Sequence, residues 1–300
     1  MPDFRVATRA SALARAQTAW VRERIGEATG SPASEMLVTS EGDVSRAALT
    51  SFGGQGVFVA RVREAVVDGR ADAAVHSMKD LPTADDPRTV IAAIPVREDT
   101  RDFLVSVHGG LTDLPVGATV ATGSPRRVAY LRARRPDLRV VGIRGNVGTR
   151  LAAVTDGTVD AVVLACAGLN RLGLTPPGAP LGPDEMLPAV GQGALAVEMR
   201  SDDPRAGVIG TLDDPVARAQ VLAERAMLAG LRAGCSAPVG AAATSDGRTV
   251  TLRAAVLSTD GSQMYECTTT GPAADARQVG RRAAADLIGQ GAGQLLGRDD

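Results

Sequence analysis

Lysine is all but missing from this chain. Of its 33 basic residues only Lys79 is a lysine, and the rest are arginines. Aromatic residues amount to 2%, so the cores must be built from small aliphatic side chains. Three cysteines, an odd number set far apart, exclude a disulfide framework, and their spacing fits no zinc site. No apolar run reaches the length of a membrane-spanning helix. Charge of one sign is lacking too. A net charge of −1 argues against nucleic-acid binding through bulk electrostatics. The opening residues, Met1 to Val6, enter a strand pattern without the charged and apolar regions of a secretory signal. Cytoplasm is therefore the expected location.

What is present is a strand–helix alternation. Strands are expected at 4–8, 35–40, 71–76 and 89–96, with helices at 11–28 and 57–68. Ser51 to Gly56 reads as a glycine-rich loop. The charged run from Arg97 to Asp102 is a candidate inter-domain hinge. The alternation then restarts, with strands at 103–107, 119–122, 138–143 and 159–165 and helices near 125–135, 148–155 and 167–172. Repeated βα units imply mostly parallel sheets flanked by helices. Leu174 to Pro183, rich in Pro and Gly, reads as a linker, and Gly193 to Met199 as one more strand. The last third changes character. A long amphipathic helix at 216–232 precedes three antiparallel strands joined by Asp246-Gly247 and Asp260-Gly261 turns, then a final helix at 272–290.

Arginines stand where a helix disfavours them. In Ser124-Pro125-Arg126-Arg127, Ser124 is a suitable N-cap and Pro125 a suitable first residue. Arg126 and Arg127 then occupy the first turn, the positive end of the helix dipole, at a cost of about 0.3–1 kcal/mol. A bound anion reverses that sign. Arg144 and Arg150 flank the start of the next helix, Arg9 follows the first strand, and Arg171 resembles them. Ligands of open α/β sheets bind beyond the carboxyl ends of strands, so this set is expected to converge on one cleft. Planar guanidinium forks suit carboxylate or phosphate equally. No Walker or dinucleotide glycine pattern is present.

Lys79 lies in His76-Ser77-Met78-Lys79-Asp80-Leu81-Pro82. An ammonium is a compact charge with a tunable pKa, unlike a guanidinium fork. The single lysine marks either a site needing that property or the place where chance left it. Asp80, ending a buried strand, either stabilises a developing cation, takes part in proton transfer, or serves as a turn residue before Pro82. Cys166 lies in an apolar run and Cys267 alternates in a strand, so both read as structural. Cys235 falls in a loop just past a helix C-terminus, where the dipole does not lower a thiol pKa. Function and plain exposure stay open for it.

Taken together, these segments resemble porphobilinogen deaminase almost from end to end. Ala7-Thr8-Arg9, the His76 to Pro82 run, Ser124 to Arg127, Arg144 to Arg150, Ala167 to Gly173, Leu187 to Ala194, Glu224-Arg225-Ala226 and Gly234-Cys235 follow the family's order. The resemblance implies an α/β fold of two periplasmic-binding-protein-like lobes plus a small C-terminal α+β domain. The lobes would be 1–98 with 191–213, and 99–190; the third domain, 214–300, would carry the cofactor cysteine.

The activity so implied is hydroxymethylbilane synthesis. Four porphobilinogens join in turn, each losing ammonia, onto a covalent dipyrromethane cofactor made from two porphobilinogen units. Hydrolysis then releases the linear tetrapyrrole. Each pyrrole bears an acetate and a propionate, which accounts for the arginines. By the resemblance, Asp80 is catalytic and Cys235 forms the cofactor thioether. Lys79, Ser77, Ser124, Arg126, Arg127 and Arg144 also bind the cofactor. Arg9, Ser11, Arg150, Arg171 and Gln192 bind substrate, and Gln55 and Phe58 belong to a lid loop. No metal, nucleic acid or membrane is implied, and the chain is expected to be a monomer. Gln55 departs from the family's lysine, and the acidic pair of the following helix is absent. These departures raise a catalytically impaired paralogue as an alternative. A non-catalytic anion-binding module is a second, but it explains neither Cys235 nor the third domain.

Overall fold

Period-2 runs of small apolar residues make the strands of this protein, and capped amphipathic stretches make its helices. The computed structural model describes residues 4–38, 56–234 and 237–297. The chain divides into two compact units. One comprises Met1–Arg97 with Ala194–Arg218, the other Glu98–Gly193 with Ala219–Asp300. The first passage between them falls inside the charged run read as a hinge.

In the first unit, β1 (Phe4–Arg9), β2 (Ala33–Val38), β3 (Ala73–Ser77), β4 (Thr89–Ala93) and β10 (Leu195–Arg200) form a sheet in the order β2-β1-β3-β10-β4. β1 pairs in parallel with β2 and β3, whereas β10 is antiparallel to β3 and β4. Helices α1 (Ala12–Thr29) and α2 (Gly56–Val67) belong to this unit. Ser11 caps α1, its Oγ accepting from the Ala14 amide at 3.3 Å, as its position ahead of the apolar run suggests. Val6, Val21, Ile25, Val75, Val197 and Met199 are core residues there.

The second unit repeats the design. β5 (Asp102–Ser106), β6 (Thr119–Ala121), β7 (Arg139–Val141), β8 (Ala161–Ala165) and β9 (Gly178–Leu181) are ordered β7-β6-β8-β5-β9. β6 runs parallel to β7 and β8, and β5 runs antiparallel to β8 and β9. The expected parallel pairing thus holds on one side of each sheet. The strands that follow the first two passages between units, β5 and β10, insert antiparallel, so both sheets are mixed. Helices α3 (Pro125–Arg134), α4 (Val147–Thr155) and α5 (Cys166–Arg171) lie in this unit.

The proposed linker at 174–183 contains β9, which corrects that reading. Proline is tolerated on an edge strand, and Pro180 stands on one. Gly178, at φ +131°, approaches the Leu104 carbonyl so closely that a Cβ there would lie 2.0 Å from its oxygen. Only glycine fits that approach. The residues that resemble a flexible connection therefore serve close strand pairing.

In the same unit, β11 (Val239–Ser245), β12 (Thr249–Leu257) and β13 (Met264–Pro272) form the expected antiparallel sheet. They pack with α7 (Pro215–Gly230) and α8 (Ala276–Gly289), counting Ala206–Ile209 as α6. Gly280 lets α8 approach α7; a Cβ there would lie 2.1 Å from the Ala223 carbonyl oxygen. Ala255 and Leu257 of β12 join the cluster formed by Leu104, Val120, Tyr130 and Leu187. The C-terminal segment and the sheet of 98–193 therefore share one core. A final turn, Ala292–Leu295, forms α9.

Candidate active site

β3 ends in a short 3-10 turn, Met78–Asp80, with Ser77 at its N-cap. Met78 is buried and fixes the turn from beneath, whereas Lys79 and Asp80 are half-buried and Asp80 closes the turn. Ser77 Oγ donates to Gln17 Oε1 of α1 at 3.1 Å. Thus the expected catalytic carboxylate stands on a turn pinned to a central strand. Arg9 ends β1 half-buried, and Ser11 is committed to its helix cap. Gln55 and Cys235 lie outside the described residues. Phe58 belongs to α2, but its side chain is not among those described.

His76 faces a buried network. Its Nε2 lies 2.9 Å from Glu198 Oε2. Glu198 Oε1 accepts from Arg63 Nε at 2.8 Å and Thr89 Oγ1 at 2.7 Å. Burial opposes the Glu198 charge, yet the His76 hydrogen bond, the His76 charge and the Thr89 hydroxyl hold its carboxyl below the usual range.

In the second unit the first-turn arginines of α3, Arg126 and Arg127, are buried, at 3% and 6% exposure, and their anion is part of the chain. Asp102, the first residue of β5, is wholly buried. Its Oδ1 accepts from Arg127 Nη2 at 2.7 Å, Arg127 Nε at 3.1 Å and Gln192 Nε2 at 3.0 Å. Its Oδ2 lies 2.7 Å from Arg126 Nη1. That contact is off-line for a hydrogen bond and acts as an ion pair, since Oδ2 has no hydrogen-bond partner. Burial, the largest influence, pushes the Asp102 carboxyl up, but the Arg126 and Arg127 charges outweigh it and hold it well below the carboxylate range.

The two arginines are not equivalent. Arg127 also donates Nη1 to the Val163 carbonyl at 2.7 Å, so each nitrogen of its fork is engaged within the protein. Arg126 donates Nη1 to the Leu187 carbonyl at 2.6 Å, but its buried Nε has no hydrogen-bond partner. A buried donor left unmet costs roughly 1–3 kcal/mol. Arg126 therefore keeps a whole nitrogen without a partner, whereas every nitrogen of Arg127 has one.

Other expected residues fall around these. Ser124 has N-cap backbone geometry, but its hydroxyl makes no cap hydrogen bond, contrary to the capping reading. Gln192 is buried rather than displayed; Nε2 also donates to the Thr100 carbonyl at 2.8 Å. The loop bearing Gln192 is held by Glu224, which accepts from the Gly191 amide at 2.7 Å and from the Ala243 amide at 3.0 Å. Arg144 is exposed. Asn146 caps α4 by accepting from the Thr149 amide, and Arg150 Nε donates to the Gly145 carbonyl at 3.0 Å. Burial, then the nearby Arg127 charge, lowers the Arg150 pKa. Arg171 Nη2 donates to the Gly193 carbonyl at 2.7 Å, and burial lowers its pKa against the opposing influence of Glu98.

Asp102 escaped sequence reasoning because it ends a charged run that looks solvent-exposed. The available signal was the apolar strand that it opens, together with two first-turn arginines in need of an anion. Burial raises the Cys166 thiol to about 11 and the Cys267 thiol likewise to about 11, so both stay protonated at neutral pH, as structural cysteines do. Among the described residues no cluster of His, Cys, Asp and Glu could hold a metal ion. None of the described helices is long and apolar enough to cross a membrane.

Residues 4–207 match the family model for the porphobilinogen deaminase dipyrromethane cofactor-binding domain, and residues 218–289 match that family's C-terminal domain. Porphobilinogen deaminase 1 of Streptomyces coelicolor is 48% identical over 98% of this chain and 97% of its own length. The porphobilinogen deaminase of Thermobifida fusca is also 48% identical, over 97% and 95%, and that of Acidothermus cellulolyticus is 49% identical, over 98% and 91%. Among solved structures, an ABC-transporter periplasmic substrate-binding protein from Coxiella burnetii aligns over 72% of this chain and 94% of its own, with 16% identity and a TM-score of 0.43. A methionine-binding protein aligns over 70% and 89%, with 12% identity and a TM-score of 0.44. The chain belongs to the porphobilinogen deaminase family, transferases that work on a dipyrromethane cofactor as hydroxymethylbilane synthases.

Proposed function

We infer that this chain builds its tetrapyrrole with Asp80 as the catalytic carboxylate and Cys235 as the cofactor attachment point. The observation that carries the reading is the buried guanidinium pair of α3, two cations against the single carboxylate of Asp102. The cofactor's acetate and propionate groups are the kind of anion such a surplus takes. The unmet Nε of Arg126 and the unengaged hydroxyl of Ser124 fit that need. When bound, dipyrromethane supplies the pyrrole carbon to which the first substrate ring is joined.

Arg126 and Ser124 would hold its carboxylates, with Lys79, Arg144 and Ser77 as further contacts. Arg127, each nitrogen of which already has a partner within the protein, would act from behind. Arg9, Ser11, Arg150 and Arg171 would serve substrate carboxylates, and Gln192 would contribute from its buried position. Asp80, fixed at the end of its turn, would stabilise positive charge at a pyrrole nitrogen and relay its proton. Gln55 and Phe58 would belong to the lid. The three-domain division, with the third domain carrying Cys235, is part of this reading, as are a monomeric state, a cytoplasmic location, and the absence of nucleic-acid and membrane partners. Porphobilinogen is the substrate.

The test replaces Cys235 and Asp80 separately. Cys235→Ser is expected to lose the covalent mass of two pyrrole units. Asp80→Ala is expected to keep that mass while turnover falls roughly 10²–10⁴-fold. Normal turnover in Asp80→Ala ends the role assigned to it.

A further inference from the structure

Asp102 lies outside the residues that the family resemblance nominates, yet it organises three that it does. Arg126, Arg127 and Gln192 all converge on its carboxylate. Among the described residues these three supply the side-chain hydrogen bonds and ion pairs to its carboxylate, and Cys166 donates Sγ to the Asp102 carbonyl at 3.6 Å. A carboxylate at 0% exposure is costly to bury and is kept only where its partners are in good geometry. Here one anion draws two guanidiniums to fixed positions and balances half of their charge. Each nitrogen of Arg127 has a partner in this arrangement, whereas Arg126 keeps an unmet Nε.

We propose that Asp102 is a positioning residue for cofactor recognition, setting Arg126 against Arg127 so that the pair accepts a carboxylate of the dipyrromethane. Three features lead there. The acid is internal, so it persists whether or not a ligand is bound. The surplus is positive, so what completes the cluster is an anion. Arg126 leads α3 together with Ser124, where the free amides of the first turn add to the same preference. Without Asp102, two like charges would share a buried space held only by their bonds to the Leu187 and Val163 carbonyls, and mutual repulsion would drive the forks apart.

The inference rests on the cofactor reading above, and the experiment separates the two. Cofactor-free protein is titrated with porphobilinogen, and acquisition of two pyrrole units is followed by intact mass. Thermal midpoint and near-ultraviolet circular dichroism report the folded fraction. In Asp102→Asn, which keeps the shape and removes the charge, the porphobilinogen concentration for half-loading of folded protein should rise at least tenfold. Asp102→Glu, which keeps the charge but displaces it, should recover part of that loss while remaining at least threefold above the parent. A purely structural role would lower the thermal midpoint and leave half-loading of the folded fraction unchanged; that result overturns the proposal. Should Asp102→Asn not fold, Asp102→Glu decides alone, and half-loading at the parent concentration overturns the proposal. If the parent protein never acquires the two units, the cofactor reading itself fails.

Discussion

Each of the two five-stranded sheets of this protein carries a buried carboxylate on its inserted antiparallel strand, and the two acids have opposite surroundings. Glu198 on β10 accepts from Arg63 and Thr89 on one oxygen and faces His76 on the other. Arg63 is shared with a second acid, Asp86, at 3.7 Å. Cations are divided among acids there, and both oxygens of Glu198 are satisfied. Asp102 on β5 is instead a lone acid between two arginines, one of which retains an unmet donor. The corresponding strand in two similar sheets thus supports a closed network in one and an anion-seeking cluster in the other. Burial of charge does not distinguish structure from function; the balance of donors and acceptors around it does.

Substitution of Glu198 sharpens this contrast most. Glu198→Ala leaves His76 without its acceptor and Arg63 with only the longer contact to Asp86, and should cost about 3–5 kcal/mol of stability, measured by denaturant melts. Half-loading of the folded fraction with porphobilinogen should be unchanged. A tenfold loss of loading in Glu198→Ala would erase the distinction between the two acids.

Acid exposes what the two share. Both carboxyls are held below their ordinary values, so the unfolded chain binds the protons first as pH falls. The stability they contribute is present above the unfolded values of about 4 and is lost as pH drops through the lower folded values. Thermal midpoints should therefore be insensitive to these two groups above about pH 5 and decline below about pH 4. A decline already complete at pH 5 would contradict the assigned direction.

Much of this molecule can be read from the chain alone. The β11–β13 sheet follows from alternation and its two Asp-Gly turns, and the helices from caps and spacing. The antiparallel insertion of β5 and β10 cannot be read that way. Ala165 pairs with Asp102 and Ala74 with Glu198, partners distant in sequence, and local pattern carries no direction of pairing. The same distance hides Asp102, whose burial comes from strand neighbours and from α3, not from its own segment. First-turn arginines did announce an anion site, but not that half of the demand is met internally. Ser124 illustrates the limit of capping rules: its backbone obeys them and its hydroxyl does not.

The central claim is that this cationic surplus serves a covalent dipyrromethane. Intact-mass measurement of the purified protein, before and after incubation with porphobilinogen, tests it most directly. The account predicts a chain heavier by two pyrrole units, carried through Cys235. An unmodified chain that stays unmodified after incubation would contradict it.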